Sequence, residues 1–81
     1  MKTIWKYTLT RNAISMPEGA TVLYGAMQDK EFCIWAMVDT EQPVCSRMFD
    51  VIGTGWTVSS DMRYVSTCID GPFVWHIMET V

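Results

Sequence analysis

Residues 32–38 read Phe-Cys-Ile-Trp-Ala-Met-Val and form the most apolar run of the chain. Seven residues are too few to cross a membrane and few for a helix, and their bulky, aromatic and β-branched content is typical of a strand covered on both faces. Alternation divides the side chains between two faces, Phe32, Ile34, Ala36 and Val38 on one and Cys33, Trp35 and Met37 on the other. A chain of 81 residues can rarely cover both faces by itself. The run therefore predicts a self-partner, that is, a homo-oligomer.

The segments around this run also follow the period of two that indicates β-strands. Strands are predicted at residues 3–10, 20–28, 44–52, 63–69 and 73–81, with a short one at 13–16 and turn signals between them. Gly25 inside a strand predicts a bulge or the close approach of another backbone. No segment has the periodicity of a full helix, although residues 57–61 leave room for one helical turn. The sequence therefore predicts a single domain, residues 1–81, with an all-β fold: a small antiparallel sandwich or barrel of six to seven strands and at most one short helix.

Composition excludes several classes of protein. The net charge is −3 and the six Lys and Arg residues are scattered, so neither DNA nor RNA is expected as a partner. Three widely spaced Cys residues argue against a disulfide framework, and with a single His they do not form a metal site, so we expect reduced thiols and no metal or other cofactor. Residues 1–10 lack the pattern of a signal peptide or a membrane anchor. These features predict a cytoplasmic protein that does not associate with membranes.

The sequence contains no convergent set of catalytic groups. His76 is the one imidazole and lies between Trp75 and Ile77 in a predicted strand, where we expect a satisfied, half-buried side chain rather than a general base. The acidic residues fall mainly in predicted loops, where carboxylates are usually solvated. We therefore expect that the protein is not an enzyme.

Ligand binding is better supported by the residue types. A nucleotide needs flat apolar side chains for its base and donors for its phosphates. Aromatic stacking contributes about 1–3 kcal/mol per base, Arg offers a bidentate fork, and a Gly-rich loop exposes backbone N–H groups. The candidate ligand-binding residues are Trp5, Tyr7, Arg47, Gly53, Thr54, Gly55, Trp56, Arg63 and His76. The alternative is that Trp5, Trp35 and Trp75 fill the core or a subunit interface, whereas Trp56, in a predicted loop, is equally compatible with either role.

Five segments carry a resemblance to a known group of proteins: residues 2–7 (KTIWKY), 14–20 (ISMPEGA), 34–39 (IWAMVD), 53–55 (GTG) and 73–76 (FVWH). In this order they resemble a family of short bacteriophage proteins that run K-x-I-W-K-Y, I-x-M-P-x-G-A, L-W-A-x-V-D, G-T-G-H and V-W-H. Trp56 stands where that family has His, so a role of that His does not carry over. The resemblance implies a phage origin, a small β fold and a location in the host cytoplasm, and it brings no activity with it.

Small oligomeric phage proteins that sequester the nucleotide messengers of bacterial immunity are similar in class, without a shared motif. We therefore expect a phage-encoded, non-catalytic anti-defence protein that serves immune evasion. It would act as a sponge for a small nucleotide ligand, a cyclic dinucleotide or a messenger of the cyclic ADP-ribose type, in pockets of a homo-oligomer. The sequence does not select among these ligands or among subunit numbers. The alternatives are a protein–protein inhibitor of a host factor and, third, an accessory of the virion.

Overall fold

A computed structural model describes the whole chain, residues 1–81, as seven β-strands without a helix. The strands are β1 (Lys2–Thr8), β2 (Ile14–Pro17), β3 (Thr21–Gln28), β4 (Glu31–Asp39), β5 (Val44–Gly53), β6 (Met62–Asp70) and β7 (Phe73–Thr80). All neighbouring strands are antiparallel. The predicted all-β fold is confirmed, and residues 57–61 do not form a helical turn. No helix in the structure is long and apolar enough to cross a membrane.

The strands form two sheets, one in the order β1-β4-β3 and the other in the order β2-β5-β7-β6. The apolar run 32–38 lies in β4, which is the central strand of the smaller sheet and pairs with β1 and β3. Neither sheet closes on itself, so the fold is a small β-sandwich and not a barrel.

The hydrophobic core lies between the two sheets and is built on the inward face of β4. Ile34, Ala36 and Val38 are each at most 1% exposed, and they share a cluster with Phe49 and Ile77 of the larger sheet. Burying an aliphatic or aromatic side chain of this kind contributes about 1.5–3 kcal/mol. The predicted grouping of alternate β4 residues on one buried face is therefore confirmed.

The outward face of β4 is only partly covered within one chain. Cys33 is buried and Trp35 is half-buried beside Tyr24, with 6.3 Å between the ring centroids. Met37 is 39% exposed, and its neighbour on β1, Ile4, is 54% exposed. A single chain thus fully covers one face of the central strand, and the covering of the other face by a self-partner stays a prediction.

Gly25 lets the two sheets approach closely at the β3 edge. A Cβ atom at this position would lie 2.7 Å from Ile77 Cδ1 and 3.0 Å from Ser66 Cβ. Ser66 Oγ donates a hydrogen bond to the Gly25 carbonyl oxygen at 2.8 Å and joins the sheets at this point. The atoms that approach Gly25 thus belong to side chains of the facing sheet and not to the backbone that was predicted, and the bulge of β3 lies just before it, between Val22 and Tyr24.

Two β-bulges alter the alternation of side chains, one in β3 between Val22 and Tyr24 and one in β6 between Tyr64 and Ser66. The simple period of two would place Tyr64 on the same face as Ser66 and Cys68. That expectation is wrong, because the bulge adds a residue and turns Tyr64 outward, opposite Met78, while Ser66 faces the core opposite Ile77.

Candidate functional site

One end of the sandwich contains a cleft with aromatic walls, where β5 ends and β7 begins. The cleft has a volume of about 470 Å³, within the usual range for small-molecule sites. The register of the larger sheet creates it, because Gly53 pairs with Trp75 and brings the loop after β5 beside the turn before β7. We call it the aromatic cleft, and its lining residues are Gly53, Thr54, Trp56, Pro72, Phe73, Val74 and Trp75.

Trp56 is held in this cleft by local backbone geometry, although its side chain is 60% exposed. The Trp56 N–H donates to the Gly53 carbonyl oxygen at 3.0 Å, and Gly55 adopts the positive φ of 90° that the tight turn requires. The indole lies directly on the α-carbon of Gly53, since a Cβ atom there would be 2.7 Å from Trp56 Cε2. Gly53 and Gly55 thus position an exposed indole.

Trp75 forms the base of the aromatic cluster. Its ring meets Trp56 edge to face with 5.7 Å between centroids, stacks against Phe73 at 5.9 Å, and meets Phe32 edge to face at 6.1 Å. These separations are typical of favourable aromatic pairs. The indole Nε1 of Trp75 is buried and has no hydrogen-bond partner. An unpaired buried donor is unusual in a folded protein.

A second pocket of about 440 Å³ lies on the other side of the two tryptophans. Trp56 and Trp75 line it together with Leu9, Thr10, Arg11, Phe32, Phe49, Asp50 and Val51. Arg11 therefore lines the same pocket as the exposed indole of Trp56.

A chain of hydrogen bonds on the outer face of the larger sheet fixes Thr54 at the cleft. Thr54 Oγ1 donates to the Val74 carbonyl oxygen at 3.1 Å and lies 2.9 Å from His76 Nε2. Because the hydroxyl proton of Thr54 is used on Val74, Thr54 Oγ1 accepts the proton of His76 Nε2, and His76 Nδ1 lies 3.2 Å from Thr67 Oγ1. Tyr64 O–H completes the chain at 2.8 Å from Thr67 Oγ1.

His76 is half-buried and both of its ring nitrogens have partners, so the expectation of a satisfied histidine is confirmed. Its position indicates that it supports the loop through Thr54.

Arg47 and Arg63 meet at a different place, on the buried carboxylate of Glu79. Arg47 binds both carboxylate oxygens of Glu79 and also donates to the Ala20 carbonyl oxygen, and Arg63 Nη2 donates to Glu79 Oε1 at 2.8 Å. The hydrogen bonds from Arg47 are the main cause that lowers the pKa of the Glu79 carboxyl below its usual 4.5; burial opposes them and the bond from Arg63 adds to them. Trp75 and Glu79 are four residues apart on β7, which corresponds to about 13 Å. The two arginines therefore do not line the aromatic cleft.

Comparison with protein families matches residues 1–81 to the family described as "Domain of unknown function (DUF7352)". The chain belongs to this family. No curated protein and no solved structure matches it. The match covers the full length and the motifs of the sequence resemblance lie between residues 2 and 76, but the description assigns no activity.

The structure brings five of the nine predicted site residues of this DUF7352 chain together: Gly53, Thr54, Gly55 and Trp56 in one loop, and His76 bonded to Thr54. Arg47 and Arg63 form the separate cluster on Glu79. Trp5 and Tyr7 lie on β1 of the other sheet and do not line the cleft. Trp5 is 43% exposed, whereas the Tyr7 hydroxyl is buried without a partner, and burial raises the pKa of Tyr7.

Several residues of the two clusters were not among the predicted site residues, namely Arg11, Phe32, Phe73, Trp75 and Glu79. The Phe73-x-Trp75 spacing directly after a Gly-Pro turn does indicate two aromatic side chains on one face at the start of a strand. The pairing of that strand with Gly53 is what turns them into a cleft.

The chain contains no group of three or more His, Cys, Asp or Glu side chains arranged to hold a metal ion. All three cysteines are free, and burial raises the pKa of the Cys68 thiol.

Proposed function

We propose that this protein is a non-catalytic binding protein that holds the base of a nucleotide messenger in the aromatic cleft, and that it serves a phage as an anti-defence sponge. The observation that carries the proposal is the exposed Trp56, which two glycines and Trp75 hold at the mouth of a cleft. Ordering an exposed indole in advance lowers the entropy that a ligand must remove on binding.

The cleft supplies the contacts that a nucleobase needs. Trp56 and Phe73 offer aromatic faces, and stacking on such a side chain contributes about 1–3 kcal/mol per base. In this proposal the phosphate-bearing part of the ligand extends past Trp56 toward Arg11, which lines the adjoining pocket.

The proposal includes a homo-oligomer. Ile4, Tyr24 and Met37 on the outer face of the smaller sheet are 54%, 60% and 39% exposed, and they lie on one side of the half-buried Trp35, which Lys6 flanks on β1. Clustered apolar side chains of this kind are typical of surfaces that contact another protein. Light scattering coupled to size-exclusion chromatography tests this part, and a strictly monomeric particle at micromolar concentration would contradict it.

Thermal-shift measurements with cyclic dinucleotides and cyclic ADP-ribose isomers test the binding function. A ligand at 100 times its Kd stabilises a protein by about 2.7 kcal/mol, which for a domain of this size raises Tm by about 10–20 °C. Trp56→Ala should then weaken the affinity about 5- to 150-fold, which corresponds to the loss of one stacked base. Trp5→Ala is the matched control, because Trp5 is also a tryptophan, is 43% exposed on the opposite sheet and does not line the cleft.

Two results would oppose the binding function. One is the absence of a thermal shift with every messenger at high micromolar concentration. The other is an affinity that Trp56→Ala leaves unchanged.

A second candidate function, inhibition of a host protein, is favoured by the apolar outer face of the larger sheet. Tyr64, Ile69 and Val74 are 60%, 73% and 39% exposed there, on or beside β6, the edge strand of that sheet. Exposed edges and apolar patches are common protein-binding surfaces. Capture of one stoichiometric host protein that Ile69→Asp releases would favour this function over the sponge.

A further inference from the structure

We infer a second binding site, for a small oxyanion, at the cluster of Arg47, Arg63 and Glu79. The cluster forms the floor of a pocket of about 330 Å³ between the edges of β3 and β6, and Thr21 and Tyr64 are among the residues of these strands that line it. We call this pocket the arginine notch. It is separate from the aromatic cleft and does not depend on the function proposed for that cleft.

Two β-bulges border the arginine notch. The bulge of β3 lies between Val22 and Tyr24, and the bulge of β6 lies between Tyr64 and Ser66, so each edge strand is irregular where the notch opens. Just beyond the bulges, Ser66 and Gly25 hold the two strands together by a direct hydrogen bond. Bulges are over-represented next to functional sites because they redirect side chains.

The charge of the floor is positive after its internal pairing. Two guanidinium groups surround one carboxylate, which leaves one positive charge in a chain whose net charge is −3. Both oxygens of Glu79 are occupied by guanidinium N–H groups, and the side chain is only 6% exposed. An incoming anion therefore meets guanidinium donors, and the charge of the Glu79 carboxylate behind them is already compensated by the two arginines.

Arg63 is the residue that has donors to offer. Arg47 uses Nε and Nη2 on Glu79 and Nη1 on the Ala20 carbonyl oxygen, and its side chain is 17% exposed. Arg63 uses only Nη2, and its side chain is 62% exposed. A guanidinium that is anchored at one nitrogen and open at the others can bind a carboxylate or a phosphate with two parallel hydrogen bonds.

Stability alone does not explain the cluster, because buried ion pairs can often be replaced by apolar side chains without loss of stability. The shared chemistry of the expected ligands is a planar or tetrahedral oxyanion, which the open guanidinium nitrogens of Arg63 can bind. The two sources of such a group are a phosphate monoester and a carboxylate. Inorganic phosphate and acetate are the probes that distinguish them.

The test is a titration of the ¹⁵N-labelled full chain with sodium phosphate and, separately, sodium acetate at constant ionic strength, followed by amide and Arg Nε resonances in NMR spectra. We expect saturable shifts confined to Arg63, Thr21 and their neighbours. Arg63→Gln should weaken the binding about tenfold or more, since a charge-assisted hydrogen-bonded pair is lost. Lys30→Gln, which removes the same charge in the exposed β3–β4 turn, should leave it unchanged.

Arg63→Gln is expected to fold, because Glu79 keeps its hydrogen bonds from Arg47. If it does not, Arg63→Lys decides the question, because Lys keeps the charge but lacks the fork of parallel donors; the expected loss is about twofold to tenfold, the value of one hydrogen bond. Shifts of the same size when sodium chloride replaces phosphate and acetate, or saturable shifts that persist unchanged in Arg63→Gln or, should that variant not fold, in Arg63→Lys, would overturn the inference. Inorganic phosphate carries no nucleobase. Its binding at the arginine notch therefore does not depend on whether the aromatic cleft binds a nucleotide.

Discussion

Replacing Gly25 by Ala tests how tightly the two sheets are packed. The added Cβ would lie 2.7 Å from Ile77 Cδ1 and 3.0 Å from Ser66 Cβ, whereas carbon atoms in favourable contact are about 3.5–4.0 Å apart. Gly25 is not among the glycines with positive φ, so Ala adds no backbone strain. The effect of Gly25→Ala is therefore a packing effect.

The expected loss of stability follows from two opposing terms. Overpacking a core destabilises the folded state by about 1–3 kcal/mol. The lower conformational entropy of the unfolded chain with Ala opposes this and stabilises the protein by about 0.4–1 kcal/mol. The net destabilisation is about 1–2 kcal/mol, which for a domain of 60–100 residues lowers Tm by about 4–16 °C. Urea unfolding, followed by tryptophan fluorescence, measures the free energy directly.

A double-mutant cycle with Ile77→Val identifies the cause of this loss. That change removes Cδ1, the atom that the new Cβ would strike, and by itself costs about 0.5–1.5 kcal/mol. The double variant should be more stable than the sum of the single changes predicts, by about 1 kcal/mol. Ile52→Val is the matched control, because Ile52 points to the outer face beside His76 and should be additive with Gly25→Ala. Additivity of Gly25→Ala and Ile77→Val within about 0.3–0.5 kcal/mol would refute the reasoning.

Three further predictions concern the two sites. Gly53→Ala should displace the Trp56 indole, because the added Cβ would lie 2.7 Å from Trp56 Cε2. Both the tryptophan fluorescence of the protein and its nucleotide affinity should then change. An unchanged emission spectrum would contradict the described position of Trp56. The pKa of Glu79 is lower in the folded state than in the unfolded chain, so as the pH falls the unfolded chain takes up the proton before the folded one does. The stability that Glu79 contributes should therefore be lost as the pH falls below about 4.5 and through the folded pKa. Glu79→Gln should remove this part of the acid dependence in urea titrations. Arg47→Gln should lower the free energy of unfolding by about 3–5 kcal/mol, because it leaves a buried carboxylate poorly paired. Arg63→Gln should lower it by about 0–1 kcal/mol, because Arg63 is largely solvated. Equal losses for the two variants would be inconsistent with the exposures of the two side chains.

The strand pattern was predictable from the sequence because alternation is a local property. The inward set of β4 and the opposite placement of Trp75 and His76 follow directly from the period of two. The bulge that turns Tyr64 outward was not predictable, because the segment Tyr64-Val65-Ser66 contains no glycine or proline to mark it. Its position depends on how β6 meets β7, which is information that a single strand does not contain.

The sites were predictable only to the extent that they are local. The loop of Gly53–Trp56 contains its own turn residues, and the sequence placed Trp56 in it correctly. Whether the arginines are available for a ligand depends on Glu79, which lies 32 residues from Arg47 and 16 from Arg63 in the chain. Hydrogen bonds over such separations are set by strand register, and the sequence pattern does not reveal them.

The positions of the two sites on β7 also limit what one ligand can do. Trp75 lies at the aromatic cleft and Glu79 at the arginine notch, both on the inward face of the same strand, about 13 Å apart along it. Ile77, which is fully buried, lies between them, so the strand presents packed core and no continuous groove from one site to the other. A mononucleotide whose base fills the cleft therefore cannot place its phosphate on Arg63 of the same chain. Saturation of the cleft should leave phosphate binding at the notch unaltered, unless a second copy of the chain brings its own notch to the cleft.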